Sequence, residues 1–216
     1  MGTGSPSTVD PRGGAAPIAE PVLVAIEGHL RDREQRREAL YQQARRLRRL
    51  SQATVSRLHT DRVAPGELAD VRRTLAELSA VLRRDGRADE PVALDAFQEA
   101  VEACLLAAIL ERSPLPTPSE LGVEPEPYLL GLGDVVGEVR RLVLDRLGRE
   151  DLPGAETLLL LMERLAETLM RFDASRAIVQ LKPKQDQARV LLERTRGEVV
   201  MARLLVRARP SSSGGP

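Results

Sequence analysis

Between residues 22 and 209 apolar positions recur at spacings of three and four, the period of helices that bury one face. Leu40, Ala44, Leu47, Ser51, Thr54, Val55 and Leu58 form one stripe and predict a long helix over about 26–59. Pro65-Gly66 breaks the chain, and Leu68, Val71, Leu75, Leu78 and Leu82 predict a second helix over 67–84, stopped by Gly86. A third is expected from about Pro91 to a point before Pro114. From Cys104 to Leu110 it is apolar on every side, which marks it as buried. Pro114, Pro116 and Pro118 then lead to a short turn through Leu121-Gly122-Val123, with Ser119 as its candidate cap. Pro127 suits the first turn of a fourth long helix, Pro153-Gly154 opens a fifth to about Phe172, and 184–207 form the last. No alternating strand pattern and no repeat of fixed period interrupts this series, so the expected class is all-α.

The fourth helix carries Gly131, Gly133 and Gly137 in its interior. Each glycine costs a helix about 1 kcal/mol relative to alanine. Three within seven residues predict that another backbone, or a ligand, approaches closely there.

Composition narrows the picture. Residues 1–21 and 210–216 are rich in Gly, Ser, Pro and Ala and are read as disordered tails around one domain, 22–209. Aromatic residues make up only 2% of the 216, so Leu, Val and Ala must do the packing, which favours helix on helix. The formal net charge is +0, so any nucleic-acid surface must be local. A single cysteine, Cys104, lies in an apolar run, excludes an internal disulfide and fits inert core in a reducing compartment. With no signal-type segment and no run long enough to span a bilayer, the expectation is a cytoplasmic protein with no membrane partner.

Candidate chemistry centres on Glu99 and Glu102, which share a helical face. No Lys or Arg stands three or four positions from either, and the helix they open turns wholly apolar. Two crowded carboxylates at the mouth of a buried helix need compensating charge, and a hard cation such as Mg²⁺ or Mn²⁺ is the simplest source. The plainer reading is that first-turn acids merely favour the helix dipole. Asp134 and Glu138 share a face with Gly131. A structural role is expected of them, with Glu138 pairing a buried arginine such as Arg141 and standing second as a metal ligand. Residues 31–62 hold ten arginines against four acids, a net of +6. Arg45, Arg46, Arg48 and Arg49 lie off the apolar stripe and are candidates for phosphate contact, against the alternative of a solvated face. Neither His29 nor His59 stands in Glu-x-x-His, which argues against a ferritin-like di-iron bundle.

Five segments in order carry a family resemblance. They are Arg37-Glu38-Ala39-Leu40 leading to Leu58-His59, Phe97-Gln98-Glu99 continuing to Glu102-Ala103, Leu121-Gly122-Val123, Tyr128-Leu129-Leu130-Gly131 continuing through Asp134, Gly137-Glu138 and Arg141, and Leu181-Lys182-Pro183-Lys184-Gln185-Asp186 leading to Glu198-Val199-Val200. Together they resemble the translin family, closest to its translin-associated factor X branch, over about residues 33–204. The resemblance implies a bundle of about seven helices and a homo-oligomer, expected to be an octamer, that binds single-stranded RNA or DNA. It further implies Mg²⁺-dependent endoribonuclease activity through a Glu-x-x-Glu pair, here Glu99 and Glu102, and a later acid aligned with Glu167, where the branch usually has aspartate. The arginine and histidine cluster of translin corresponds here to Pro91-Val92-Ala93-Leu94-Asp95, so that mode of nucleic-acid contact is not implied. The alternative is a translin-like nucleic-acid-binding oligomer without catalysis. A plain helical scaffold is expected instead if the acids face solvent.

Overall fold

The structure, a computed structural model, describes residues 19–60, 66–85, 91–173 and 178–208. Among them are seven helices and no strand: α1 (Glu20–Leu58), α2 (Glu67–Asp85), α3 (Pro91–Leu110), α4 (Pro118–Leu121), α5 (Pro125–Gly148), α6 (Leu152–Met170) and α7 (Leu181–Ala208). The all-α expectation and the helix number hold. The expectations placed on residues 1–18 and 209–216, and on Pro65 and Gly86, lie outside the described residues. No helix among the described residues is long and apolar enough to cross a membrane.

The chain divides between Ala39 and Leu40 into two units. In the first, helix α1 begins at Glu20, earlier than the apolar stripe predicts, and Val22, Leu23, Val24, Ile26 and Leu30 are exposed along it. The stripe that predicts α1 starts at Leu40, and its Leu40, Ala44, Leu47, Ser51 and Thr54 are the buried positions.

In the second unit α3 is the central element. Ala93, Ala96, Phe97, Ala100, Val101 and every residue from Ala103 to Ala108 are buried. Six of these are alanines, so the helix is thin enough for neighbours to close around it. Each fully buried Leu or Val contributes about 1.5–3 kcal/mol relative to exposure. Helix α3 packs against α2 and α5, α5 against α6 and α7, and α6 against α7.

Local chemistry fixes the element ends. Thr117, not Ser119, caps α4. Its Oγ1 accepts from Glu120 N at 3.2 Å, and the Glu120 carboxylate accepts from Thr117 N at 2.7 Å. Gly122 then takes φ +67°, the left-handed conformation that suits glycine. Asp151 caps α6, accepting from Gly154 N at 3.0 Å. Arg140 of α5 ties α7 in place, donating to both oxygens of Glu198 at 2.7 and 2.8 Å and to Thr195 at 2.6 Å.

Candidate functional site

Gly131 decides how α3 and α5 meet. A Cβ built there would stand 2.7 Å from the Gln98 carbonyl oxygen and 2.8 Å from Val101 Cγ1, so only glycine lets the α5 backbone rest on α3. Asp134 and Glu138 follow on the same face of α5, one and two turns on. This brings them to the face of α3 that carries Gln98, Glu99 and Glu102. Gly133 plays the same part for α7, since its Cβ would meet Lys184 Cβ at 2.9 Å. At Gly137 the nearest atom to such a Cβ is Leu191 Cδ1 at 3.8 Å, ordinary contact, so the close approach expected of the three glycines applies to two.

Three of the four carboxylates have partners. Gln52 donates to Glu99 Oε1 at 2.8 Å, and Arg48 Nε lies 3.5 Å from the same oxygen. Asp134 accepts from Gln98 Nε2 and is ion-paired with Lys184. Glu138 meets the ring Nε2 of His59, just past the end of α1. Glu102 has no such donor among the described residues. Burial, followed by the charges of Asp134, Glu138 and Glu99, pushes its carboxyl up to about 8, against the opposing pull of Lys184. Without further positive charge, Glu102 therefore holds a proton at neutral pH.

The donor set is all carboxylate oxygen, the set a hard divalent cation takes. Glu102 has no ion-pair partner among the described residues, three further acids act on it and Lys184 offsets them only in part, so the residues fit such an ion. Among the described residues no three His, Cys, Asp or Glu side chains stand as a ready-made metal cage. The reason is in the contacts above: Glu99, Asp134 and Glu138 are each engaged by a neighbouring amide, cation or imidazole. Gln98 and Lys184 also line an adjoining cavity of about 530 Å³, together with Leu94, Leu130, Ile178 and Gln180.

Comparison with known proteins places the chain. AfC3PO is 30% identical in sequence, with a TM-score of 0.75 over 85% of this chain and 97% of its own. The chain belongs to the translin family. AfC3PO in complex with duplex RNA is 28% identical, with a TM-score of 0.75 over 87% of this chain and 99% of its own. NeC3PO without ligand, at 19% identity and a TM-score of 0.76, shares the fold. An uncharacterised protein of Methanocaldococcus jannaschii is 41% identical over 104 residues. That match covers 48% of this chain and 47% of the relative, so it spans about half the length of each. No family model matches.

Within this translin-family chain the structure sorts the expected site residues. Glu99, Glu102 and Glu138 come together. Glu167 does not join them. It is exposed on α6, which packs on α5 and α7, and it is absent from the charges acting on Glu102. Asp134 stands beside them, and its hydrogen bond to Gln98 and ion pair with Lys184 are of the structural kind expected of it. The buried arginine expected to pair with Glu138 is also replaced: Arg141 is exposed, and His59 is the partner. The signal for Asp134 was its spacing of four from Glu138 on the face of Gly131. No local signal marked His59. Of the arginines, Arg45, Arg46 and Arg49 are exposed and Arg48 reaches Glu99. Cys104 is buried, as expected of core.

Proposed function

We propose that this translin-family protein is a divalent-metal-dependent endoribonuclease whose cation, Mg²⁺ or Mn²⁺, is held by Glu99, Glu102, Asp134 and Glu138. The observation that carries the reading is the placement of Glu102, largely buried among three other carboxylates whose charge Lys184 offsets only in part. When bound, a divalent ion acidifies a water molecule and stabilises negative charge on a phosphoryl group. The chain's own residues contribute binding and orientation. Glu99, Asp134 and Glu138 are held in place by Gln52, Gln98 and His59. Lys184 and Arg48 bring positive charge to the edge of the acids, where phosphate oxygens would bind. The cavity beside Gln98 and Lys184 leaves room for the nucleotide next to the phosphate. Glu167, exposed on α6, has no part in this proposal.

RNA is the proposed substrate, in keeping with the duplex RNA bound by AfC3PO. Whether single-stranded RNA or DNA is also taken is read from the same assay. Exposed Val200, Met201, Leu204 and Leu205 of α7 support a homo-oligomer, proposed as an octamer. The test incubates short RNA strands with Mg²⁺ or Mn²⁺. Cleavage by the wild type, lost on EDTA and lost in Glu102→Gln, is the expected result. A second reading, a binder without catalysis, is favoured by the exposed arginines of α1. Binding without cleavage under either metal would establish that second reading.

A further inference from the structure

Buried histidines usually have both ring nitrogens accounted for. His59 does not. Its side chain is 1% exposed, its Nε2 meets Oε2 of Glu138, and its Nδ1 is buried with no hydrogen-bond partner among the described residues. A carboxylate can only accept, so the proton belongs on Nε2, donated to Glu138. The ring stands in the residue that follows α1, while Glu138 stands on α5 beside Glu102. The contact therefore joins the end of one helix to the acid face of another. It occupies one oxygen of Glu138 and leaves the other for a ligand.

We propose that His59 is a positioning residue, which fixes the Glu138 carboxylate by an Nε2–H donor so that it can serve the cation site. This rests on reading the four acids as that site. Residues that hydrogen-bond to a metal's ligands orient them, and losing one typically weakens metal affinity by about 10- to 100-fold. His59 acts on the ligand, not on the RNA.

The test is Mn²⁺ titration of the metal-free protein, by calorimetry or by the loss of the free-ion paramagnetic resonance signal, with thermal unfolding measured in parallel. His59→Gln keeps an amide N–H near the place of Nε2. His59→Leu removes the donor, and His59→Asn stays polar but is too short to reach Glu138. The expected result is that His59→Leu and His59→Asn lose about 10- to 100-fold in Mn²⁺ affinity, while His59→Gln stays within a few-fold of wild type. If His59→Leu does not fold, the contrast between the Asn and Gln variants decides the matter. Wild-type affinity in His59→Asn, or equal weakening in Gln and Asn, overturns the proposal. Failure of the underlying reading looks different: the wild type then binds no stoichiometric Mn²⁺, or Glu102→Gln binds it as tightly as wild type.

Discussion

On the proposed cation site, the proton that Glu102 carries would have to leave when a cation arrives, which links metal affinity to pH. With the carboxyl at about 8, roughly 1 molecule in 100 has it ionised at pH 6 and about half at pH 8. Mn²⁺ affinity should accordingly tighten by roughly 50-fold between these values, with close to one proton released per ion bound at the lower pH. Calorimetric titration at pH 6, 7 and 8, in two buffers of different ionisation enthalpy, reads both quantities. The same group acts on the metal-free fold with a defined sign. Its folded value lies above its unfolded one, so its contribution to stability is fully present below about 4.5 and is lost as the pH rises through about 8. The whole loss is at most about 5 kcal/mol, from 1.36 kcal/mol for each tenfold change in the ionisation ratio. Glu102→Gln carries no such proton, so it should flatten this fall and unfold at a higher temperature than wild type above pH 7. It should also bind Mn²⁺ weakly at every pH. A wild-type affinity that does not change between pH 6 and 8, with no proton released, would refute the reasoning.

Three further predictions test the assignments separately. Gly131→Ala, whose methyl would press on the Gln98 carbonyl, should destabilise by about 1–3 kcal/mol, whereas Gly137→Ala should stabilise by about 1 kcal/mol; thermal unfolding of the two variants reads the difference. Asp134→Asn should lose Mn²⁺ binding and RNA cleavage while Glu167→Gln keeps both, and the reverse outcome would restore Glu167 to the site. Replacing Arg45, Arg46, Arg48 and Arg49 by Gln should flatten the dependence of RNA affinity on salt; an unchanged slope would put the phosphate contacts on another surface.

Much of the fold was legible because burial imposes periodicity. The stripes from Leu40 to Thr54 on α1, and from Val71 to Leu82 on α2, are the buried faces the spacing predicts. The start of α1 was not legible, because exposed Val22, Val24 and Ile26 give no one-sided pattern to read. At the site, Glu99 and Glu102 stood out as acids without compensation on their own helix. What compensates Glu99, however, is Arg48 and Gln52 of α1, and nothing in the spacing along α3 reveals a neighbour from another helix. The partners of Asp134 and Glu138 were hidden for the same reason: they come from the crossing of α3 and α5, from α7 and from where α1 ends. The glycines did announce that crossing, but only the structure separates Gly131, which meets backbone, from Gly137, which makes ordinary contact with a side chain.

Helix α3, enclosed on nearly every side, also sets how far this protein can diverge. A helix whose alanines touch neighbours all round has almost no position where a larger or polar residue is neutral, so Glu99 and Glu102 ride on the part of the chain least free to drift. The exposed arginines of α1 and the exposed apolar residues of α7 are under no such restriction. On the proposed roles of these surfaces, substrate preference and assembly can therefore change among descendants while the acid face keeps its geometry. A saturation mutagenesis screen for solubility should read this directly, with intolerance concentrated from Ala93 to Ala108 and tolerance at Arg45, Arg46 and Arg49.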